Sequence, residues 1–152
     1  MQTFLPYPDF AESAKVLDYK RLGKQRVETF QLLNAIRGVD KFGEPKQHKG
    51  WVNHPAAVMW RQYVPALHMY GRAMTLEWIN RGYNDTMLDR FEVHSDFEMP
   101  YWFGREDFHI SHQSNLLRKD FEFYASSFVG VPDNLPYVWY GEFDLTKFRS
   151  VH

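Results

Sequence analysis

At 152 residues, with 44% hydrophobic and 24% charged positions, the chain has the composition of one compact globular domain rather than of a disordered segment. The absence of cysteine excludes disulfides, thiolate metal sites and cysteine nucleophiles, and fits a reducing cytoplasm. A net charge of −1 argues against a uniformly basic nucleic-acid binder, yet residues 15–61 hold ten Lys/Arg against four Asp/Glu (+6) while residues 62–152 hold eight against thirteen (−5).

The opening Met1-Gln2-Thr3-Phe4-Leu5-Pro6 has neither a basic leader nor a long apolar run, so no signal peptide or membrane span is expected. Asp9-Phe10-Ala11-Glu12 has capping-box spacing and predicts a helix running from there toward Leu22, with Gly23 either interrupting it or allowing a close approach. A second helix over residues 24–36 places Val27, Phe30, Leu33 and Ile36 on one face, and Gly38 is its natural stop. Residues 38–50, rich in Gly, Lys and Pro, read as an exposed loop. Pro55 suits the first turn of a helix capped by Asn53 or His54, and Pro65 starts or kinks the next. Leu67, Tyr70, Met74 and Trp78 form a core stripe that ends at Gly82, with Trp60 also in the core. Residues 83–108 show no period beyond a short helical turn near 86–90. Ser111 is placed to cap a last helix over 112–124, and residues 132–140 form an extended aromatic strap. The expected fold is therefore mostly α: a single compact helical domain over residues 1–152, with long loops and that C-terminal strap.

Lys20, Arg21, Lys24 and Arg26, with Gln25 among them, concentrate positive charge within seven residues. Lys20 and Lys24 lie one helical turn apart beside Arg21, so the three can converge on a phosphate or serve as surface ion-pair partners. Trp51-Val52-Asn53-His54-Pro55 sets an amide and an imidazole before a helix start. There they can meet an anion or a base edge, or they can cap and pack. His109, His112 and Gln113 surround the expected start of the last helix, suited to a phosphate or sugar or to local capping, and Arg118 and Lys119 extend the basic surface. Without cysteine, and with no second carboxylate–histidine pair at ligand spacing, no metal is expected. At 18% aromatic, some rings must reach the surface, and Trp139 can close the core or form a stacking wall. No Gly-rich phosphate loop, nucleophile elbow, His-Glu-x-x-His or kinase set is present.

Tyr19-Lys20-Arg21-Leu22 through Arg26-Val27, then Asn80-Arg81-Gly82-Tyr83, His109-Ile110-Ser111-His112-Gln113-Ser114 and Pro136-Tyr137-Val138-Trp139-Tyr140 follow in an order that resembles the pyrimidine-dimer DNA glycosylase (phage endonuclease V-like) superfamily, and its small bacterial and phage members most closely. The resemblance implies a compact all-α fold and a bifunctional glycosylase/AP lyase. In such an enzyme an N-terminal α-amine, with a pKa of about 7.7–8.0, attacks the sugar C1′ of a damaged pyrimidine nucleotide, and a carboxylate stabilises the cationic sugar. Met1 would supply that amine. Aligning Leu22 with the family's leucine puts Arg21 where the catalytic glutamate is expected, which leaves Asp18 and Glu28 as carboxylate candidates. The partner is then DNA or a nucleotide, with no cofactor and no membrane, and the sequence carries no signal of oligomeric state. Two other functions stay open: a non-catalytic nucleotide or nucleic-acid binder on the same fold, and an enzyme acting on free nucleotides.

Overall fold

The computed structural model of the chain describes residues 2–45 and 53–143. Six helices form among them: α1 (Phe10–Val16), α2 (Tyr19–Arg37), α3 (Pro55–Trp60), α4 (Val64–Asn80), α5 (Glu106–Lys119) and α6 (Phe121–Tyr124). The architecture is all-helical, as the sequence pattern and the family resemblance predict. No described helix is long and apolar enough to cross a membrane. The part of the expected 38–50 loop from residue 46 onward, together with Met1, Trp51 and Val52, lies outside the described residues.

Asp9 caps α1 by accepting the Glu12 N–H, at the predicted position. The helix does not continue to Leu22. Leu17 turns extended with its side chain fully buried, and Asp18 opens α2 by accepting the Arg21 N–H. Arg81 covers the exposed end of α1, its guanidinium donating to the carbonyls of Ala14 and Lys15. α2 then passes through Gly23 without interruption. A Cβ at Gly23 would lie 2.9 Å from the Trp78 ring, so the missing side chain is what lets α2 lie close against α4. The inward face of α2 carries Leu22, Gln25, Thr29, Leu32 and Leu33, whereas Val27, expected in the core, is exposed. Gly38 ends the helix at φ 71°, a left-handed conformation that glycine adopts without strain.

His54, rather than Asn53, caps α3 by accepting the Ala56 N–H, with Pro55 in the first turn. Leu67, Tyr70 and Met74 of α4 are fully buried, while Trp78 is half-buried and stacks on Tyr83 at 4.3 Å. Gly71 brings α4 against Phe91, whose ring would stand 2.5 Å from an added Cβ. Between α4 and α5 the only regular element is a 3-10 turn at Leu88–Arg90. Much of the aromatic content packs inside: Trp60 meets Trp102 edge to face at 5.0 Å, with buried Tyr70 against Trp60 and buried Phe108 against Trp102, and Tyr124 is buried against Phe128.

The largest correction concerns the last long helix. α5 begins at Glu106, not at His112, and breaks at Asp120, which caps the short α6. Ser111 is not a cap; inside α5 its hydroxyl donates to the Phe108 carbonyl and accepts the Val138 N–H. His109 and His112 therefore sit in the helix body. The C-terminal strap runs back along α5: the Leu135 N–H reaches Ser114 Oγ at 2.9 Å, and Asn115 Nδ2 reaches the Leu135 carbonyl at 3.2 Å.

Candidate functional site

The N-terminal segment crosses the interior with no strand partner among the described residues, so its backbone polar groups must be satisfied in another way. Buried side chains from three helices do this. Gln25 of α2 donates from Nε2 to the Gln2 carbonyl (2.9 Å) and accepts the Phe4 N–H at Oε1 (3.1 Å). Tyr70 of α4 lies 2.8 Å from the Phe4 carbonyl. From α5, His112 Nδ1 accepts the Leu5 N–H (2.9 Å), His109 Nδ1 contacts the Leu5 carbonyl (2.7 Å) and Gln113 Nε2 donates to the Pro6 carbonyl (2.7 Å). Trp60 adds a bond from Nε1 to Thr3 Oγ1 at 2.9 Å.

These contacts fix the ring protons. His109 Nε2 accepts the Gly104 N–H, so its Nδ1 carries the proton given to Leu5, whereas His112 accepts at Nδ1 and carries its proton on Nε2. Burial drives the His112 pKa down to about 3, with the neighbouring His109 adding to the shift, and burial likewise lowers that of His109. Both rings are neutral scaffolding at physiological pH.

Where this segment emerges, it borders a cleft of about 690 Å³, a size that suits a nucleotide-scale ligand. The lining comprises Gln2 and Phe4 of the segment, Lys20, Arg21, Lys24, Gln25 and Glu28 of α2, Lys119 at the end of α5, and Tyr137 and Trp139 of the strap. Four cations against one carboxylate give it a net charge of +3 and an attractive field for phosphate. Gln2 Nε2 is buried and has no acceptor among the described residues, a donor that an oxygen-rich ligand would satisfy. Trp139 is 38% exposed and meets the His54 ring edge at 6.1 Å. Burial raises the Tyr137 pKa to about 12, which keeps its phenol protonated.

Of the residues singled out in the sequence, Lys20, Arg21, Lys24, Gln25, Glu28, Lys119 and Trp139 meet at this cleft. The others do not. Arg26 turns away to pair with Asp85 and lies 4.4 Å from the Trp78 ring centroid. Arg118 is tied to Asn115 and to the carbonyls of Asp133 and Leu135. Asp18 is buried, bound by the Tyr124 hydroxyl and by the backbone and guanidinium of Arg21. Burial alone would raise the Asp18 pKa, but these donors outweigh it and hold the carboxyl below its usual range. Asn53 is exposed next to the His54 cap and outside the lining, and Met1 lies outside the described residues. His109, His112 and Gln113 hold the backbone instead of facing the cleft, so the cations and the α5 imidazoles do not share a guest. Gln2, Phe4 and Tyr137 are lining residues that the sequence reading did not select. Buried Leu5 beside Phe4 in an apolar opening was the available signal for the first two.

Among the described residues, His68, Glu92 and His94 bring three potential metal ligands within 4.8 Å of one another. The Arg37 guanidinium already engages them, 2.8 Å from His68 Nε2 and 3.4 Å from Glu92 Oε2, so this group acts as an ion-pair cluster at the far end of α2.

Fold and site together define an all-helical protein whose anchored N-terminal segment opens on a cationic, aromatic-walled cleft. The family model for pyrimidine dimer DNA glycosylase matches residues 1–91, and the chain belongs to that family. The match includes the α2 face of the cleft, while Lys119, Tyr137 and Trp139 come from beyond it. No curated protein and no solved structure matches the chain at a significant level.

Proposed function

We propose that the protein is a DNA glycosylase/AP lyase acting on damaged or modified pyrimidine nucleotides, with the α-amine of Met1 as nucleophile. The observation that carries this reading is the clamping of residues 2–6 by side chains of α2, α4 and α5, with Gln2 and Phe4 of that segment lining a cleft of net charge +3 that also holds Glu28. The amine nitrogen bonds to C1′ as the bond from C1′ to the base breaks, and the base leaves with the electron pair and gains a proton. The nitrogen loses its proton and its lone pair forms the C1′=N imine as the C1′–O4′ bond opens, with the bonding pair and a proton going to O4′; the imine acidifies the C2′ proton, whose removal expels the 3′-phosphate and nicks the strand. Glu28 takes the carboxylate's part, stabilising positive charge on the sugar or accepting the C2′ proton. Lys20, Arg21, Lys24 and Lys119 bind phosphates. Tyr137 and Trp139 stack on the extruded base or its neighbour.

Sodium borohydride should trap a covalent adduct between the protein and a duplex containing an abasic site or a pyrimidine dimer, with strand cleavage when borohydride is omitted. Neither adduct nor cleavage would remove the reading.

One observation favours a second reading. Arg21 stands where the family's carboxylate is expected and is paired with the fully engaged Asp18, an arrangement suited to a nucleotide binder without catalysis. Thermal shifts with mono-, di- and cyclic nucleotides would reveal such a binder through ligand linkage, and product analysis on the same ligands would expose turnover of free nucleotides.

A further inference from the structure

Four cations line the cleft, and they are held unequally. Lys20, Lys24 and Lys119 are exposed, and among the described residues their ammonium groups have no hydrogen-bond partner. Arg21 differs: its side chain is 25% exposed, and Nη1 donates to Asp18 Oδ1 at 3.1 Å. Asp18 is fastened in turn. Oδ1 also accepts the Tyr124 hydroxyl, Oδ2 accepts the Arg21 N–H at 3.2 Å, and the Asp18 N–H donates back to the Tyr124 oxygen at 3.0 Å. Capping α2 requires only the bond at Oδ2, so the two bonds at Oδ1 exceed what a helix start needs. Tyr124 is fully buried and stacked on Phe128 at 5.6 Å, and burial raises its pKa, which keeps the phenol a donor. A chain of fixed groups thus runs from α6 through Asp18 to a guanidinium at the cleft.

The geometry of that guanidinium sets what it can receive. Its five N–H groups lie in one plane, and Asp18 engages Nη1. The opposite edge, Nε with Nη2, has no partner among the described residues, and its two parallel donors match two oxygens of one phosphate. We infer that Asp18 and Tyr124 are positioning residues that lock Arg21 so that this edge receives a phosphate in the cleft. The role rests on phosphate binding at the cleft, proposed above, and divides its cations: Arg21 is the directional contact, and the three lysines act through charge. Asp18, a carboxylate candidate in the sequence, then serves binding instead of meeting the sugar.

Charge and direction are separable by experiment. Affinity for a duplex with a tetrahydrofuran abasic analogue is read by fluorescence anisotropy over a series of salt concentrations, with urea denaturation confirming that each variant is folded. Arg21→Lys keeps the charge and loses the fork, and should weaken binding about tenfold, as for one charge-assisted hydrogen bond, with the slope of log affinity against log salt unchanged. Tyr124→Phe removes one hydroxyl that lies outside the cleft lining, and should weaken binding about fivefold at the same slope. Lys24→Ala, by contrast, should lower the slope by about 1. Asp18→Asn gives the sharpest sign. It can still cap α2 but sets an amide N–H against the guanidinium; removal of a negative charge alone would tighten DNA binding, whereas loss of the locked fork should weaken it about tenfold. A purely structural role would shift the denaturation midpoint and leave the affinity of the folded protein unchanged. If Asp18→Asn does not fold, Tyr124→Phe and Arg21→Lys carry the test. Any of the three binding at wild-type strength or tighter, while the wild type binds, would overturn the positioning role alone. Wild-type protein without affinity for the duplex would overturn the phosphate reading of the cleft, and this role with it.

Discussion

Two extended segments border the cleft, and they are held by different means. Residues 2–6 are fastened by Gln25, Tyr70, His109, His112 and Gln113, side chains buried or half-buried on three separate helices. The strap is fastened to α5 by the buried Ser111, Ser114 and Asn115, and toward its ends by Arg118 and a hydrogen bond from the Tyr140 hydroxyl to Asp107, both open to water. In a buried bond a lost partner leaves an unsatisfied group behind, whereas an exposed bond exchanges with water at little cost. The N-terminal segment is thus held by bonds that are costly to lose, which suits the fixed position the proposed nucleophile needs. At its Tyr140 end the strap depends on an exposed bond, next to Trp139, the ring proposed to stack on a base.

Breaking the N-terminal side should produce the largest effects. His112→Ala removes a fully buried ring and leaves the Leu5 N–H without its acceptor, and should cost about 3–5 kcal/mol in urea denaturation. Arg26→Ala should cost about 3 kcal/mol, because it takes the cation from the buried Asp85 carboxylate, leaving it only the Met87 and Leu88 N–H groups, and uncovers Trp78, and it should leave phosphate binding unaffected. Acid should act on the same segment. The His112 pKa is depressed on folding, so its contribution is complete above its unfolded pKa near 6.5 and is lost as pH falls toward about 3. Stability measured across that window should decline by up to about 1.4 kcal/mol per pH unit for each such histidine.

The strap side should respond in binding rather than in folding. Trp139→Ala should change stability by no more than about 0.5 kcal/mol yet weaken single-strand or abasic-duplex affinity by about 1–3 kcal/mol, read by anisotropy. Lys20→Ala, Lys24→Ala and Lys119→Ala should each lower the slope of log affinity against log salt by about 1, with stability unchanged.

Helix ends governed by local chemistry were legible in the sequence. Asp9, Gly38 and the Pro55 first turn act through their own dihedrals and nearest neighbours, and they stand where pattern reading put them. The start of α5 was not, because Arg105 precedes it with no side-chain cap and Ser111, a good cap by type, is used inside the helix. The cationic stretch was legible as charge, but its division was not. Whether Lys24 faces the cleft, Gln25 the core and Arg26 Asp85 depends on the rotation of α2, which Gly23 and Trp78 set through a tertiary contact. The α5 histidines carried the same ambiguity. His109, His112 and Leu116 share one helical face with core spacing, and their partners lie more than a hundred residues away in the N-terminal segment, where no local pattern could announce them.

In the proposed reaction the α-amine preceding the clamped residues 2–6 is the nucleophile. Borohydride-trapped protein on abasic DNA, digested with trypsin and mapped by mass spectrometry, tests it most directly. The deoxyribose remnant should lie on the peptide of residues 1–15, at its α-amine. The remnant on Lys20, Lys24 or Lys119 instead would contradict it, since any cleft lysine would then be the nucleophile and the clamp on residues 2–6 would have no part in the chemistry.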